Sequence, residues 1–189
     1  MQARRIIIGV IGAAVVLMIA WAILGGYTEK KEAVPNPSVQ NSQMTITSPS
    51  FKNNETIPSN YTCSGVNINP ELRIADVPAE AKSFALIVDD PDAPGGTWTH
   101  WMLWNIDPAT TVIPEGGKPA QAVEGKTSFG RSGYGGPCPP AGKPHHYHFK
   151  LHALDTVLNL PAGADVRALE AALEGHVIAS AELVGLYGR

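Results

Sequence analysis

The sequence predicts a mainly β domain, a two-sheet antiparallel sandwich with one or two peripheral helices, preceded by one transmembrane helix. Three observations lead there. The chain of 189 residues has 19 Gly and 16 Pro but only 7% aromatics, a loop-rich composition that suits short strands joined by turns. Apolar runs of strand length, such as "SFALIVD" from Ser83 to Asp89, are bounded by turn residues. "IIIGVIGAAVVLMIAWAIL", from Ile6 to Leu24, runs for 19 residues without a charge. At ~1.5 Å per residue a helix of that length crosses a bilayer core.

Arg4 and Arg5 precede the apolar stretch, whereas Glu29, Lys30, Lys31 and Glu32 cancel after it. This asymmetry predicts residues 1–5 in the cytoplasm, residues 6–24 as a membrane anchor and the rest outside the cell membrane. Ala20-Trp21-Ala22 resembles a signal-peptide cleavage site, so secretion after cleavage is the rival reading. Residues 25–43, "GGYTEKKEAVPNPSVQNSQ", are polar and hold two prolines, which predicts a flexible linker. Residues 44–189 are enough for one domain with a sizeable core. The formal net charge is −3, and residues 44–189 alone, with 15 Asp+Glu against 10 Lys+Arg, are near −5. Nucleic acid is therefore not an expected partner, and the domain itself should not adhere to an anionic lipid surface.

Within the domain, Met44 to Thr47 predicts a short edge strand stopped by Pro49. Ser83 to Asp89 is apolar on both faces, so it reads as a central, covered strand. Trp101 to Ile106 is similar, and Tyr147 to Leu154 alternates strongly. Val166, Leu169, Ala172 and Leu173 share one face of a helix over Val166–Glu174, with Asp165 placed as its N-cap and Gly175 as its C-cap. A last strand runs from about Ala181 to Tyr187.

Strand alternation sorts the polar residues. Phe84, Leu86, Val88 and Asp90 share a face. His100, Met102, Trp104 and Ile106 share a face in the next strand. His145, Tyr147, Phe149, Leu151 and Ala153 share a third, which leaves His146, His148, Lys150 and His152 on a wet face. Three strands thus end apolar stripes in polar groups: Asp90, His100 and the pair His145/Tyr147. A half-buried carboxylate needs partners, and two imidazoles and a phenol can supply them. "SGYGGPCPPAGKPHHY" adds a glycine and proline loop leading into His145. Its glycines would let backbone N–H groups converge on an anion, and its prolines would stiffen the loop. The expected ligand is a small oxyanion, phosphate first.

Other chemistries gain less support. No G-x-S-x-G nucleophile elbow and no H-E-x-x-H metal motif is present, so neither catalysis nor a metal is expected. The alternative function is a hydrolase or phosphoryl-processing enzyme using Asp90, His100, His145 and Tyr147. A metal on the wet face, held by His146, His148 and His152, is a further alternative. Cys63 and Cys138 are the only cysteines. A disulfide between them is the expectation for an exported chain, and two buried free thiols are its alternative.

"DDPDAPGGTWTHWMLWNI" and "GYGGPCPPAGKPHHYHFKLHALD" resemble the phosphatidylethanolamine-binding protein family, also known as Raf kinase inhibitor-like proteins, in its bacterial and archaeal branch. The resemblance spans about Thr47 to Tyr187. It implies a Greek-key sandwich with a small anion pocket at one edge. It places the pocket aspartate at Asp90, the two histidines at His100 and His145, the tyrosine at Tyr147 and a wall at Pro139 and Pro140. Asp92, Gly135 and Gly136 would support them. The family's His-Arg-Tyr reads here as His145-His146-Tyr147, so any recognition through the arginine is in question. The family binds phospholipid head groups and phosphate-like anions, and some members inhibit kinases or serine proteases. The resemblance therefore implies a non-enzymatic binding module without a cofactor. Its expected occupant is a phosphate, a phospholipid head group or a phosphopeptide, and a protease or kinase is its expected protein target. Combined with the anchor, the expectation is a membrane-tethered module outside the cell.

Overall fold

In this computed structural model, the structure describes residues 43–189, which lie within one compact unit, Asn41–Arg189. Nine strands form two sheets: β1 Thr45–Thr47, β2 Glu55–Thr56, β3 Leu72–Ala75, β4 Ser83–Asp90, β5 Trp98–Ile106, β6 Val112–Ile113, β7 Val123–Glu124, β8 His145–Leu154 and β9 Val177–Tyr187. The smaller sheet has the order β1-β3-β6, and the larger has β2-β9-β8-β4-β5-β7. All pairings are antiparallel except β2 with β9, which is parallel and departs from the expected all-antiparallel pattern. One α-helix, α1 Val166–Leu173, and a short 3-10 turn, Ser59–Tyr61, complete the described elements.

Every residue of β4 is buried because both of its faces are covered. Phe84, Leu86 and Val88 meet Ile46, Leu72, Ile74 and Ile113 of the small sheet in the main core. Ala85 and Ile87 meet Leu169 and Leu173 of α1 in a second core on the other side. The Asp165 side chain accepts from the Ala168 amide at 3.0 Å and starts α1. The helix ends at Leu173 with Glu174 as its C-cap. Gly175, at φ +77°, is one position further out than the sequence suggests.

The faces of β5 correct the sequence reading. His100, Met102, Trp104 and Ile106 do not share one face. Val88 pairs with Trp101 and Asp89 with Thr99, so His100 is an extra residue in the ladder. Phe84 pairs with Ile106 and Leu86 with Leu103, so a second extra residue falls at Trp104–Asn105. Asn105 takes φ +55° there and exchanges two hydrogen bonds with Leu158. Between the two bulges, Met102 and Trp104 turn to the second core, while Trp101, Leu103 and Ile106 belong to the main core.

The face of β8 expected to be wet is exposed only at His146. His148, Lys150 and His152 are half-buried. They do not converge on a metal: their free ends meet Glu182, Asp89 and Ser180 respectively.

The predicted anchor, residues 6–24, the cytoplasmic residues 1–5 and most of the predicted linker lie outside the described residues. No helix among the described residues is long and apolar enough to cross a membrane. The single-pass localisation read from the sequence is corrected on that ground.

Candidate functional site

Asp90 ends β4 and is 3% exposed. Its Oδ2 accepts from Nδ1 of His145, the first residue of β8, at 2.7 Å. Its Oδ1 accepts from the Asp92 amide at 2.9 Å, which closes the aspartate–proline turn. His145 therefore carries its proton on Nδ1, and Nε2 is the ring atom left for a ligand.

His100 reaches the same place through its bulge. Its Nδ1 donates to the Gly135 carbonyl at 2.6 Å, and its own carbonyl accepts from the Gly135 amide at 3.0 Å. Again Nε2 is the atom left over. Burial pushes the His100 imidazole below its ordinary range, against the opposing pull of the Gly135 carbonyl and Asp90. Tyr147 follows two residues after His145 and packs edge-on against His100, with ring centroids 5.2 Å apart. Its hydroxyl is buried beside the Asp90 carboxylate and the Cys138 backbone but makes no well-formed hydrogen bond among the described residues. Burial first, and the Asp90 charge second, push the phenol well up, so it stays a neutral donor.

These groups line a cavity of about 350 Å³. Pro139 and Pro140 form part of its wall, as does Cys138. Cys138 is joined to Cys63 in a disulfide with Cα atoms 5.4 Å apart. The sequence reading missed the rim. Trp98 and Phe129 line the mouth, 38% and 40% exposed, with their rings edge-to-face at 5.5 Å. Trp98 sits opposite Asp90 across the β4–β5 pair, a register visible only once the His100 bulge is known. Phe129 comes from a loop without periodic pattern; exposed aromatic character was its only signal.

The two glycines do not cradle an anion with their amides, contrary to the sequence expectation. The Gly135 amide is used by His100, and the Gly136 amide donates to Asn67 Oδ1 at 2.7 Å. Both act by being small. A Cβ on Gly135 would strike the Phe129 ring, and one on Gly136 would strike the Tyr61 carbonyl and Asn67. Asp92 stays at the rim, where its Oδ2 accepts from both the amide and Nδ1 of His146, at 2.9 and 2.7 Å. That contact with His146 holds the Asp92 carboxyl below its usual range. A wider groove of about 640 Å³ lies beside β1. Its titratable groups are already paired: Lys150 with Asp89, His152 with Ser180 and Glu182 with His148.

A family model described as phosphatidylethanolamine-binding protein matches residues 47–188. The chain belongs to the phosphatidylethanolamine-binding protein family. It is 57% identical over 146 residues to a UPF0098 protein of Pyrococcus horikoshii, covering 74% of each chain. It is 49% identical over 151 residues to a UPF0098 protein of Methanothermobacter thermautotrophicus, covering 77% of this chain and 99% of that one. Among solved structures, a phosphatidylethanolamine-binding protein homolog from Chlamydia trachomatis superposes with a TM-score of 0.74 at 43% identity, covering 78% of this chain and 98% of that one. E. coli YbcL, described as a member of the mammalian family, superposes equally well at 36% identity, covering 78% and 99%. At these identities the resemblance reaches beyond fold to the family itself.

Proposed function

We propose that this member of the family binds a small oxyanion of the phosphate class in the cavity between Asp90, His100, His145 and Tyr147. One observation carries the reading: a fully buried tyrosine hydroxyl without a well-formed hydrogen bond stands beside two imidazoles whose Nδ1 atoms are both committed elsewhere. An unpaired buried hydroxyl costs about 1–3 kcal/mol, which an anion accepting from it would recover. Each imidazole can add a donor at Nε2 only when protonated, because Nδ1 already donates in either state.

The same Asp90–His145 pair is also the geometry of a general base. The cavity lining, however, holds no serine or threonine hydroxyl, and its one cysteine is in the disulfide. Binding therefore explains more of the site than covalent catalysis does. Nothing in the cavity geometry favours a protease or kinase as the occupant.

Phosphate and sulfate titrated into the full chain should shift the ring signals of His100 and His145. Sulfate keeps its charge from about pH 7.5 to about pH 5.5. Its affinity should rise over that interval, because the His100 imidazole is held low and gains its Nε2 proton only on acidification. Anion-induced shifts that bypass both histidines would show that the site is elsewhere. Turnover of a phosphomonoester that disappears in His145→Ala would replace binding by hydrolysis.

A further inference from the structure

We infer that the Cys63–Cys138 disulfide is a thiol–disulfide exchange site built into the cavity wall, and that a dithiol acting there releases the wall and weakens anion binding. The inference rests on the proposed oxyanion cavity and adds its regulation. Three observations carry it. Cys138 lines the cavity, next to Pro139 and Pro140, and sits nine residues before Tyr147 in sequence. Both cysteine residues are exposed, which opens the bridge region to an attacking thiolate. And the loop from Pro137 to Pro144 has few other ties.

Those ties are unevenly spread. Upstream, Gly135 is locked to His100 by two hydrogen bonds and Gly136 to Asn67 by one. Downstream, Asp90 holds His145. Between them, the Cys63 amide donates to Pro137, Arg189 Nε donates to Pro139, and the Gly142 amide donates to Arg189. Arg189 is an exposed residue, and its bond to Pro139 is half-buried. The disulfide is thus the one covalent tie between this wall and the Ser59–Asn67 region, across a separation of 75 residues. Cutting it frees the segment that covers Tyr147 but leaves the clasp between Gly135 and His100 intact.

The chemistry balances. A dithiol such as a 1,4-dithiol attacks one sulfur as its thiolate, expels the other cysteine as a thiolate and forms a mixed disulfide; its second thiol then attacks its own bound sulfur, releases the remaining cysteine and closes into a cyclic disulfide. The two electrons and two protons given up by the dithiol appear as two cysteine thiols. An oxidised dithiol reverses the exchange.

The test uses the full chain, inorganic phosphate as the probe and dithiothreitol as the dithiol. Alkylation and mass measurement score the two thiols under native conditions. The expected result is reduction without denaturant, a rise in the phosphate dissociation constant on the order of fivefold, and recovery on reoxidation. Ring signals of Tyr147 and His145 should move on reduction, while those of His100 stay. The double variant Cys63→Ser/Cys138→Ser should bind like the reduced chain and ignore dithiothreitol. If that variant fails to fold, the reversible cycle on the unmodified chain decides alone. Unchanged affinity after complete reduction overturns the inference, as does a disulfide that yields only in denaturant. If the oxidised chain binds no phosphate, the proposed cavity function fails. The exchange site is then judged on the ring signals: movement of Tyr147 and His145 upholds it, and stillness overturns it.

Discussion

Asp89 and Asp90 are consecutive, equally deep and opposite in purpose. Both are at most 6% exposed at the end of β4. Asp89 turns to the helix side of the sheet, where Lys150 Nζ donates to it at 2.8 Å. Asp90 turns to the cavity, where the partner is His145. The Lys150 ammonium pairs with Asp89 Oδ2 and commits that carboxylate to the sheet. An imidazole can hold its proton on Nδ1 and still change charge at Nε2, so Asp90 orients a group without silencing it. The difference separates structure from function more sharply than burial does. One aspartate closes a charge account within the sheet, and the other leaves a titratable atom facing a cavity.

Removing each aspartate's role should therefore give different signatures. Asp90→Ala is expected to have the largest effect. It strips the acceptor from the His145 ring and the Asp92 amide together. Leaving these groups unpaired should cost about 2–3 kcal/mol of stability, and the loss of a fixed Nε2 should weaken phosphate binding at least about tenfold. Denaturant unfolding and a phosphate titration measure the two. Retained affinity with lowered stability would mean that Asp90 is only a structural partner, and the comparison with Asp89 would collapse.

Much of that comparison is legible in the sequence, and part is not. The doubly apolar "SFALIVD" marks β4 as central, and strict alternation puts Asp90, His145 and Tyr147 on one side. Alternation fails where the backbone inserts residues. Nothing in "THWMLWNI" announces bulges at His100 and Asn105, because both depend on how β5 meets β4. His100 arrives at the cavity only because of the first bulge. The expected companionship with Met102 and Trp104 was therefore wrong, although the site assignment needed only His100 itself. The parallel β2–β9 pair is two residues long and carries no pattern to read. Glycines next to an anion site invite the reading of backbone donors, yet Gly135 and Gly136 spend their amides on His100 and Asn67. Such commitments are tertiary and leave no periodic trace.

A smaller effect is expected on the helix side. Lys150→Ala leaves the buried Asp89 carboxylate without its cation, and its Oδ1 already lacks a partner. A fully buried unpaired charge costs more, but the Lys150 side chain is 36% exposed and water can replace part of its contribution. A loss of about 1–2 kcal/mol is expected, with phosphate affinity within about twofold of the parent. Parallel unfolding and binding curves would show it. A strong loss of binding in Lys150→Ala would mean that the two faces of β4 communicate.

The smallest effect is in pH, and it sharpens the comparison by asking which face an anion touches. Burial lowers the imidazoles of both His100, in the cavity, and His152, on the other face, where Lys150 adds to the effect. A folded-state value below the ordinary one near 6.5 means that the unfolded chain takes up the proton first as pH falls. Stability from each group is thus full above about 6.5 and is lost as pH falls from there to the lowered folded-state value. The slope for His100 is at most about 1.4 kcal/mol per pH unit. That for His152 is less, since its half-buried ring is better screened. Sulfate in the cavity favours the protonated form of His100 and should relieve only that share of the acid loss. Sulfate also stabilises folded proteins in general, so the informative quantity is how its stabilisation changes between about pH 7.5 and about pH 5.5. Melting temperatures at constant ionic strength should show a larger gain at the lower pH in the parent chain and in His152→Gln. In His100→Gln that difference should shrink, and in His100→Gln/His145→Gln it should vanish. A gain that keeps its pH dependence without both histidines would place the anion away from the cavity and leave the Asp90 side no more functional than the Asp89 side.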